Sequence, residues 1–517
     1  MKTKIVLGGA LLLMVLSVAG CRKESDSVMS YAFKDKMAFA KADTSFAEKF
    51  NVFWNGMNAN YSLWDFEEAN GLDWDAVYDV FYPRFAALDA KDEVTDKELQ
   101  ALVEEVTAPL HDGHLAIQFA NHKTGNRILV SPSAIRNKID REQEILAVSG
   151  LKPYMTYYQT AGEVLETKSF DTNLVTSGLA TVVPFVSAQI EELKKKGELT
   201  PEEQAQLALL QELYLSLAKV LASMMLGNTG DAVELYNETA LRYAYLQIPG
   251  FQTVDARLIS NALNITYTLF KGNIAYLAFD HFSLTPYLNE AQSQISFAGA
   301  SESTLAAIKS VREVWNAWFQ SIQELHQSGQ LGGVIIDVRS NGGGYADDYQ
   351  YALGALLPSG GFHVLDGRFK RGPGRYDYSP LLPQHMSTCG QEHVTVTEPI
   401  AVLANCLSVS MSEMTSMGAK VLDNAKLIGT RTWGALCALT SNDNYSSNYG
   451  GLVGIKDETP VFCYIPQMAT FTLDGDILEG YGVTPDIEIA FDQATWNKGA
   501  GPDNQLDRAL AFIRTGK

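Results

Sequence analysis

A serine-rich segment follows an apolar run that ends at Leu403. The run, Pro399-Ile-Ala-Val-Leu403, is typical of a buried strand, and an apolar helical pattern begins after Ser412. Ser410 is therefore expected at a strand-to-helix turn, where a hydroxyl can be exposed as a nucleophile and the helix N-terminus favours a developing anion. Serine at a helix start is also a common capping residue, so this segment alone leaves both interpretations open.

A glycine cluster, Asn341-Gly342-Gly343-Gly344, follows a second apolar run. Glycines allow a sharp turn that leaves backbone N–H groups pointing outward, and residues 346–356 carry a helical pattern. The segment has neither the G-x-G-x-x-G spacing nor the lysine of a P-loop, which excludes a nucleotide site of either kind. An ordinary strand-to-helix turn remains the alternative interpretation.

A histidine pair occurs in the sequence Leu110-His111-Asp112-Gly113-His114. Two histidines three positions apart could bind a metal, but no HExxH motif or third ligand is evident. A single histidine that acts as a general base suits a serine nucleophile better. Much later in the chain, Glu479 lies in a Gly/Pro turn, where a solvated acid is the simplest expectation.

Short apolar runs of strand type must position the serine and glycine turns. They cover residues 274–279, 333–337, 399–403 and 425–429, and helical patterns such as 305–325 separate some of them. This alternation predicts an α/β domain with a largely parallel sheet over residues 266–517.

Helical patterns dominate the chain before residue 265. Residues 46–122 have aromatic side chains at helical spacing and a capping box from Thr95 to Glu98, which predict an N-terminal helical domain. Residues 123–265 are predicted to form a mostly helical insert of unassigned role, with a helix that starts at Thr200 and Pro201. The fold class expected is a multidomain protein with α+β and α/β parts.

The first 21 residues predict the compartment. Lys2 and Lys4 precede a short apolar run, and Val18-Ala19-Gly20-Cys21 resembles a bacterial lipobox. The run is short for a transmembrane helix, which needs about 20 residues. We therefore expect a lipoprotein signal peptide over 1–21, lipidation of Cys21 and a polar tether over 22–45. A membrane anchor in the cell envelope follows, with the outer membrane preferred and the periplasmic or outward orientation open.

The composition excludes several classes of protein. The 517 residues carry a formal charge of −20, and removal of residues 1–20 would leave −22. This charge, with no basic stripe, excludes nucleic acid as an expected partner. Five cysteines without a C-x-x-C pair do not form a disulfide scaffold or a zinc ribbon, although an oxidising compartment permits pairing among Cys389, Cys406, Cys437 and Cys463.

Six motifs occur in one order along the chain: D-G-H from 112, the segment 272–282, D-x-R-x-N-x-G-G from 337, S-x-S-x-S-E from 408, I-G-x-x-T-x-G from 428 and E-G-x-G-V-x-P-D from 479. The order resembles the tail-specific or C-terminal-processing peptidases of the S41 serine peptidase family, and within it the tricorn-core and retinoid-binding-protein branch. The resemblance covers 46–114 and most of 270–490. It implies a ClpP/crotonase-like α/β peptidase core, and it leaves 123–265 unmatched, with no PDZ-like segment recognisable there.

The resemblance implies a role for particular residues. By position in the motifs, Ser410 is the nucleophile, and the N–H of Met411 with one from Gly342 or Gly343 forms the oxyanion hole. The processing peptidases place a lysine directly after I-G-x-x-T-x-G, but this chain has Ala435 there, which excludes a Ser/Lys dyad at that position.

The tricorn-like branch uses a histidine and a late glutamate instead, which His114 and Glu479 match. In that pattern a serine precedes the histidine, whereas this chain has Gly113. The expectation is an envelope-anchored serine endopeptidase with a Ser410–His114 pair supported by Glu479. It needs no cofactor or metal, and its partners are a peptide or protein substrate and the membrane.

Two other functions remain open. Ala435 and Gly113 favour a catalytically inactive peptide- or ligand-binding lipoprotein on the same fold, because fold alone does not establish activity. A crotonase-like acyl-CoA enzyme would share the α/β core but leaves Ser410 and His114 without a role. The sequence does not indicate the natural substrate or the oligomeric state.

Overall fold

The computed structural model describes residues 45–171, 174–225, 229–253, 263–289, 300–372, 374–388, 392–439, 452–466 and 468–516. The predicted signal peptide, the lipidation site Cys21, almost all of the tether and Cys389 lie outside these residues.

The helices of the described residues, in chain order, are α1 (Phe46–Asn60), α2 (Trp64–Ala69), α3 (Trp74–Asp89), α4 (Asp96–Thr107), α5 (Pro132–Asp140), α6 (Glu142–Val148), α7 (Thr156–Thr160), α8 (Leu174–Lys195), α9 (Pro201–Met225), α10 (Thr229–Arg242), α11 (Thr285–Leu288), α12 (Glu302–Gln327), α13 (Met411–Val421), α14 (Gln493–Trp496) and α15 (Asn504–Thr515). Short 3₁₀ helices cover Ala244–Leu246, Ala346–Tyr351, Leu353–Leu356 and Asn497–Gly499.

The strands are β1 (Ala116–Ala120), β2 (Arg127–Val130), β3 (Val164–Asp171), β4 (Asn264–Phe270), β5 (Ile274–Ala278), β6 (Gly333–Asp337), β7 (Phe362–Phe369), β8 (Leu382–Met386), β9 (Ile400–Ala404), β10 (Ala425–Gly429), β11 (Leu452–Val453), β12 (Val461–Tyr464), β13 (Met468–Phe471) and β14 (Ile487–Glu488).

The chain divides into two compact units, each built from separate segments. The first unit consists of Met1–Leu146, Phe362–His385 and Thr432–Thr484. The second unit consists of Ala147–Gly361, Met386–Arg431 and Pro485–Lys517. Each unit is therefore completed by residues that lie far apart in the sequence.

The first unit is a helical layer on small antiparallel sheets. Thr95 caps α4, since its Oγ1 accepts the Glu98 N–H at 3.2 Å, as the capping pattern predicts. The aromatic residues of α1–α3 are buried in one cluster with β1, β12 and Cys463. The sheets have strand orders β11-β12-β1-β2 and β13-β7-β8.

The second unit contains a sheet that includes all four predicted apolar runs and is largely parallel, as expected. Its strand order is β14-β10-β9-β6-β5-β4-β3; the strands from β14 to β5 pair in parallel and β4 and β3 pair antiparallel. Strands β5, β6 and β9 are buried along their whole length, as central strands of a covered sheet should be. α15 packs on this sheet with Ile335, Leu403 and Ile428 in the shared core.

Helices α8, α9 and α10 of the second unit share a core of their own. Among the described residues, the segment Pro201–Met224 within α9 is long and apolar enough to cross a membrane by length and composition. Its Leu213 and Leu217 are fully buried against the neighbouring helices, which is the pattern of a bundle helix.

The compact units do not follow the boundaries predicted at residues 122 and 265. The helical segment 46–122 ends in β1, and the predicted insert supplies β2 and β3 as well as helices. Residues 362–385 and 432–484, which were predicted to belong to the core 266–517, are part of the first unit instead. One reason is that β12, within 432–484, pairs with β1 of the first unit. The helix expected over 346–356 is two 3₁₀ helices.

Candidate active site

The serine-rich segment forms the turn between β9 and α13. Ser410 is the residue before α13 and has φ 57° and ψ −113°, a backbone conformation that is strained for a residue with a side chain. Its N–H donates to Glu413 Oε2 at 3.1 Å. The hydroxyls of Ser408 and Ser412 are buried and donate to the carbonyls of Val338 and Asn341, so Ser410 is the partly exposed serine of the three.

The glycine cluster packs directly on this serine turn. The Val409 N–H donates to the Asn341 carbonyl at 3.0 Å, which fastens one turn to the other. Gly343 has φ 84°, and a Cβ built on it would lie 2.6 Å from Ser410 Cβ and 3.0 Å from the Met411 nitrogen. Only glycine combines this backbone angle with this approach, so both turns depend on Gly343.

The predicted oxyanion-hole donors from the glycine cluster are engaged elsewhere. The Gly342 N–H donates to the Asp280 carbonyl at 3.3 Å, and the Gly343 N–H donates to Asn341 Oδ1 at 2.9 Å. Both N–H groups of the turn are therefore already hydrogen-bonded in this structure, one to a side chain of the same turn and one to the segment after β5. The Met411 N–H, first in α13, donates to no acceptor among the described residues.

The D-G-H motif of the first unit forms a second candidate centre with Glu479. Asp112 Oδ1 accepts the N–H groups of His114 and Leu115 at 2.8 and 3.0 Å. Glu479 is buried and accepts three N–H groups, from Gly113 at 2.7 Å and from Leu436 and Cys437 at 2.8 Å each. The expected solvated acid is therefore a buried carboxyl group, 366 residues away in sequence from the motif that it holds.

The side chains of Asp112, His114 and Glu479 lie together. One ligand atom from each lies within 4.8 Å of the other two. Burial, with the charge of Glu479, raises the pKa of Asp112 well above its usual value, and burial also raises the pKa of Glu479. Burial lowers the pKa of His114 to about 4, so its ring is neutral at pH 7 and can accept a proton.

The packing around Gly113 explains both departures from the family pattern. A Cβ at residue 113 would lie 2.0 Å from the Gly434 carbonyl oxygen and 2.6 Å from Ala435 Cα. A serine at 113 therefore has no room in this arrangement. Ala435 is itself fully buried, so a lysine there would need both space and a partner for its charge.

The histidine pair is split between two environments. His111 Nδ1 lies 2.7 Å from Glu67 Oε2, and Glu67 is fully buried and also accepts the hydroxyl of Tyr61 at 2.7 Å. No motif singles out Glu67, which lies in α2 among other acidic residues. His111 and His114 are therefore not two ligands of one site.

Part of the chain is similar to known proteins. Residues 273–489 match Peptidase family S41. Tricorn protease homolog 1 of Streptomyces coelicolor is 26% identical over 197 residues, which are 38% of this chain and 15% of that protein. Tricorn protease of Thermoplasma acidophilum is 28% identical over 178 residues, which are 34% of this chain and 14% of that protein.

The chain thus matches only a small part of these long relatives. The structure of mature CPAF complexed with lactacystin aligns with 95% of this chain and 100% of its own, with a TM-score of 0.44 and 12% identity. The match to Peptidase family S41 covers residues 273–489, which include the strained serine turn and the glycine turn beside it.

Proposed function

We propose that this protein is a serine endopeptidase that cleaves peptide bonds through an acyl-enzyme on Ser410. The S41 domain over residues 273–489, which includes Ser410 and Glu479, is the observation that carries the proposal. The strained strand-to-helix turn supports it, because such a turn presents a serine hydroxyl for attack. The proposed substrates are peptides or proteins.

In the proposed reaction, Ser410 Oγ attacks the peptide carbonyl carbon while a ring nitrogen of His114 takes the hydroxyl proton. The tetrahedral intermediate then collapses, and His114 returns the proton to the leaving amine. Water attacks the acyl-enzyme by the same route and releases the new carboxyl terminus. The ring of His114 is unprotonated at neutral pH, as the first step requires, and its lowered pKa makes it a weaker base than an exposed imidazole.

Glu479 would act mainly by positioning in this scheme. Its carboxyl group holds the backbone of Gly113, next to His114, and of two residues after Gly434. It therefore fixes the segment that carries the base. A direct interaction with the His114 ring during proton transfer is consistent with their proximity.

The oxyanion would be stabilised by the Met411 N–H and one donor from the glycine turn. The second donor requires that Gly342 or Gly343 release its present acceptor, Asp280 or Asn341. Loss of one preorganised donor in a serine hydrolase costs about 2.7–4 kcal/mol of transition-state stabilisation. The conformation of this turn therefore determines much of the rate.

The same observation favours a second candidate function. A protein of this fold whose glycine-turn donors stay engaged would bind a peptide or other ligand without cleaving it. Ala435, which stands where the processing peptidases have lysine, also supports this alternative. It predicts saturable binding that does not depend on the Ser410 hydroxyl.

A fluorophosphonate probe tests the two functions, because it reacts with an activated serine. We expect the wild type to be labelled, Ser410→Ala to be unlabelled, and His114→Ala to be labelled about 100-fold more slowly or worse. Ser216→Ala, which changes a partly exposed residue in the middle of α9, is the control and should match the wild type. Equal labelling of wild type and Ser410→Ala would refute the nucleophile, and binding without labelling would support the alternative.

We further propose that Cys21 is lipidated and holds the protein to the cell envelope, with the outer membrane preferred. The lipobox-like Val18-Ala19-Gly20-Cys21 supports this anchor. Cells that express the full chain with a radioactive or clickable fatty acid should incorporate it into the wild type and not into Cys21→Ala. Incorporation into both would contradict the anchor, whereas Cys389→Ala should behave as the wild type.

A further inference from the structure

We propose that Asp112, His114 and Glu479 form a binding site for a divalent transition metal of the zinc type, and that the bound ion inhibits the enzyme. The proposed binding site depends only on the geometry of residues in the first unit. The inhibition rests on the proposed function, because it assumes that His114 is the general base.

The donor atoms of this cluster are free for a ligand. Both ring nitrogens of His114 and Asp112 Oδ2 are buried without a hydrogen-bond partner. An unpaired buried polar atom costs free energy, and three within one cluster need an explanation. Glu479 is not unpaired, since Oε1 accepts the Gly113 N–H and the carboxyl group also has a hydrogen bond with the Cys437 side chain. A carboxylate oxygen can accept such a bond and bind an ion through its other lone pair.

The charge of the cluster also favours a cation. Asp112 and Glu479 are both buried, at 0% and 2% exposure, and one ligand atom of each lies within 4.8 Å of the other. No lysine or arginine pairs with either carboxyl group in the described part of the chain. Two buried carboxyl groups this close together cannot both be ionised unless a cation binds between them.

One imidazole nitrogen and two carboxylate oxygens are a ligand set that suits zinc and similar ions. Calcium and magnesium prefer oxygen ligands alone, so the histidine disfavours them. Tetrahedral ligands at about 2.1 Å from an ion lie about 3.4 Å apart, which small side-chain rotations would reach from the present spacing.

The surroundings of the three ligands resemble those of a prepared metal site. Asp112 Oδ1 is held by two backbone N–H groups, which leaves Oδ2 as the free oxygen. The Glu479 carboxyl group accepts hydrogen bonds from three backbone N–H groups. Such outer hydrogen bonds orient metal ligands before the ion arrives and strengthen its binding.

A metal on the His114 ring would occupy the lone pair that the proposed base needs. His114 could then no longer take the Ser410 proton. Metal binding and proton abstraction are therefore mutually exclusive at this ring nitrogen.

The first experiment measures binding without reference to activity. Chelator-treated wild type, Asp112→Asn and Asp366→Asn are titrated with ZnCl₂ by calorimetry, and Co²⁺ absorption is recorded for each. Asp366 is the matched control because it pairs with His363 at 2.8 Å in a half-exposed position of the same unit. We expect one ion per chain for the wild type and Asp366→Asn, and at least about tenfold weaker binding for Asp112→Asn.

Equal zinc affinity for wild type and Asp112→Asn would overturn the site. Thermal melts in chelator establish that each variant folds, and Glu479→Gln replaces Asp112→Asn if that variant does not. Ser410→Ala should bind zinc as the wild type does, so failure of the proposed enzymatic function would leave this result intact.

The second experiment measures inhibition. Zinc at saturation should slow fluorophosphonate labelling of the wild type at least tenfold, and excess chelator should restore it. Labelling that zinc leaves unchanged, in protein that the titration shows to be loaded, would refute the inhibition and keep the binding site.

Discussion

Ser410 and Gly343 depend on each other. The serine adopts a strained backbone conformation that presents its hydroxyl, and the glycine approaches it more closely than any other residue could. Strain of this kind persists only where the neighbouring structure holds it in place. The candidate nucleophile is thus set by backbone packing in the two turns.

We expect Gly343→Ala to abolish fluorophosphonate labelling and to lower stability by at least about 1–2 kcal/mol. The new Cβ would lie 2.6 Å from Ser410 Cβ, and alanine at a φ of 84° is strained in any case. Labelling and thermal unfolding are measured on the same preparation.

Gly360→Ala is the matched control for this prediction. A Cβ on Gly360 would meet no atom within 4 Å, and the residue is exposed. The variant should label and unfold as the wild type does. Normal labelling of Gly343→Ala would show that the serine turn does not depend on the glycine.

The sequence predicted the residues of the candidate site better than their contacts. Serine at a strand-to-helix turn follows from local pattern, and β9 and α13 flank Ser410 as expected. The buried partners of the D-G-H motif could not be predicted, because Glu479 joins Asp112 only through tertiary packing. Nor does a sequence show which N–H groups of a glycine turn are already bonded, as those of Gly342 and Gly343 are.

At the scale of elements, local rules fixed several boundaries. Strands β6 and β10 match the predicted apolar runs residue for residue, and β5 and β9 match within one residue. The Thr200 capping box is complete: Thr200 Oγ1 accepts the Glu203 N–H at 3.2 Å, and Glu203 Oε2 accepts the Thr200 N–H at 3.0 Å. Capping needs only residues three apart, so sequence suffices to predict it.

We expect Thr200→Ala to destabilise the start of α9 by about 1 kcal/mol, because one N–H of the first turn loses its acceptor. Hydrogen exchange by mass spectrometry should show about fivefold faster exchange in that turn and little change in the rest of the helix. Ser216→Ala, in the middle of α9, removes only a bond from the hydroxyl to the Glu212 carbonyl and should leave the first turn unchanged. Equal exchange in the two variants would refute the role of the cap.

Longer-range elements could not be predicted from local rules. The strands β1, β2 and β12 were not identified, and pairing of β1 with β12 joins residues 116–119 to 461–464. Short strands on small antiparallel sheets have little periodicity to distinguish them, which is why residues 46–122 were expected to form a helical domain.

On the scale of the whole second unit, Arg339 joins the sheet to the C-terminal helix. Its guanidinium group is buried, lies 2.6 Å from Asp337 Oδ2 and 2.8 Å from Asp503 Oδ2, and also contacts Gln505. Asp503 caps α15. The D-x-R motif, which begins at the last residue of β6, thus has a structural function beside its place in the motif order.

We expect Arg339→Met to lower the free energy of unfolding by about 3–5 kcal/mol, because Asp337 and Asp503 would remain buried without their cation. Thermal and urea unfolding measure the change. Arg514→Met removes the exposed pair with Glu163 at 2.8 Å and should cost less than about 1 kcal/mol. A similar decrease in the free energy of unfolding for the two variants would show that the buried network around Arg339 does not stabilise the protein.

The segmented units have a consequence for how the protein is made. A ribosome that adds roughly 5–20 residues per second completes β12 about 20–70 s after β1 has been synthesised. During that interval the aromatic faces of α1–α3 lack part of their final core, which includes Cys463 and Ile465. The sheet of the second unit is likewise incomplete until β14, at residues 487–488, has been synthesised. Neither unit can finish folding until its last segment has been made, so for most of translation the newly synthesised protein depends on whatever protects its exposed apolar surface.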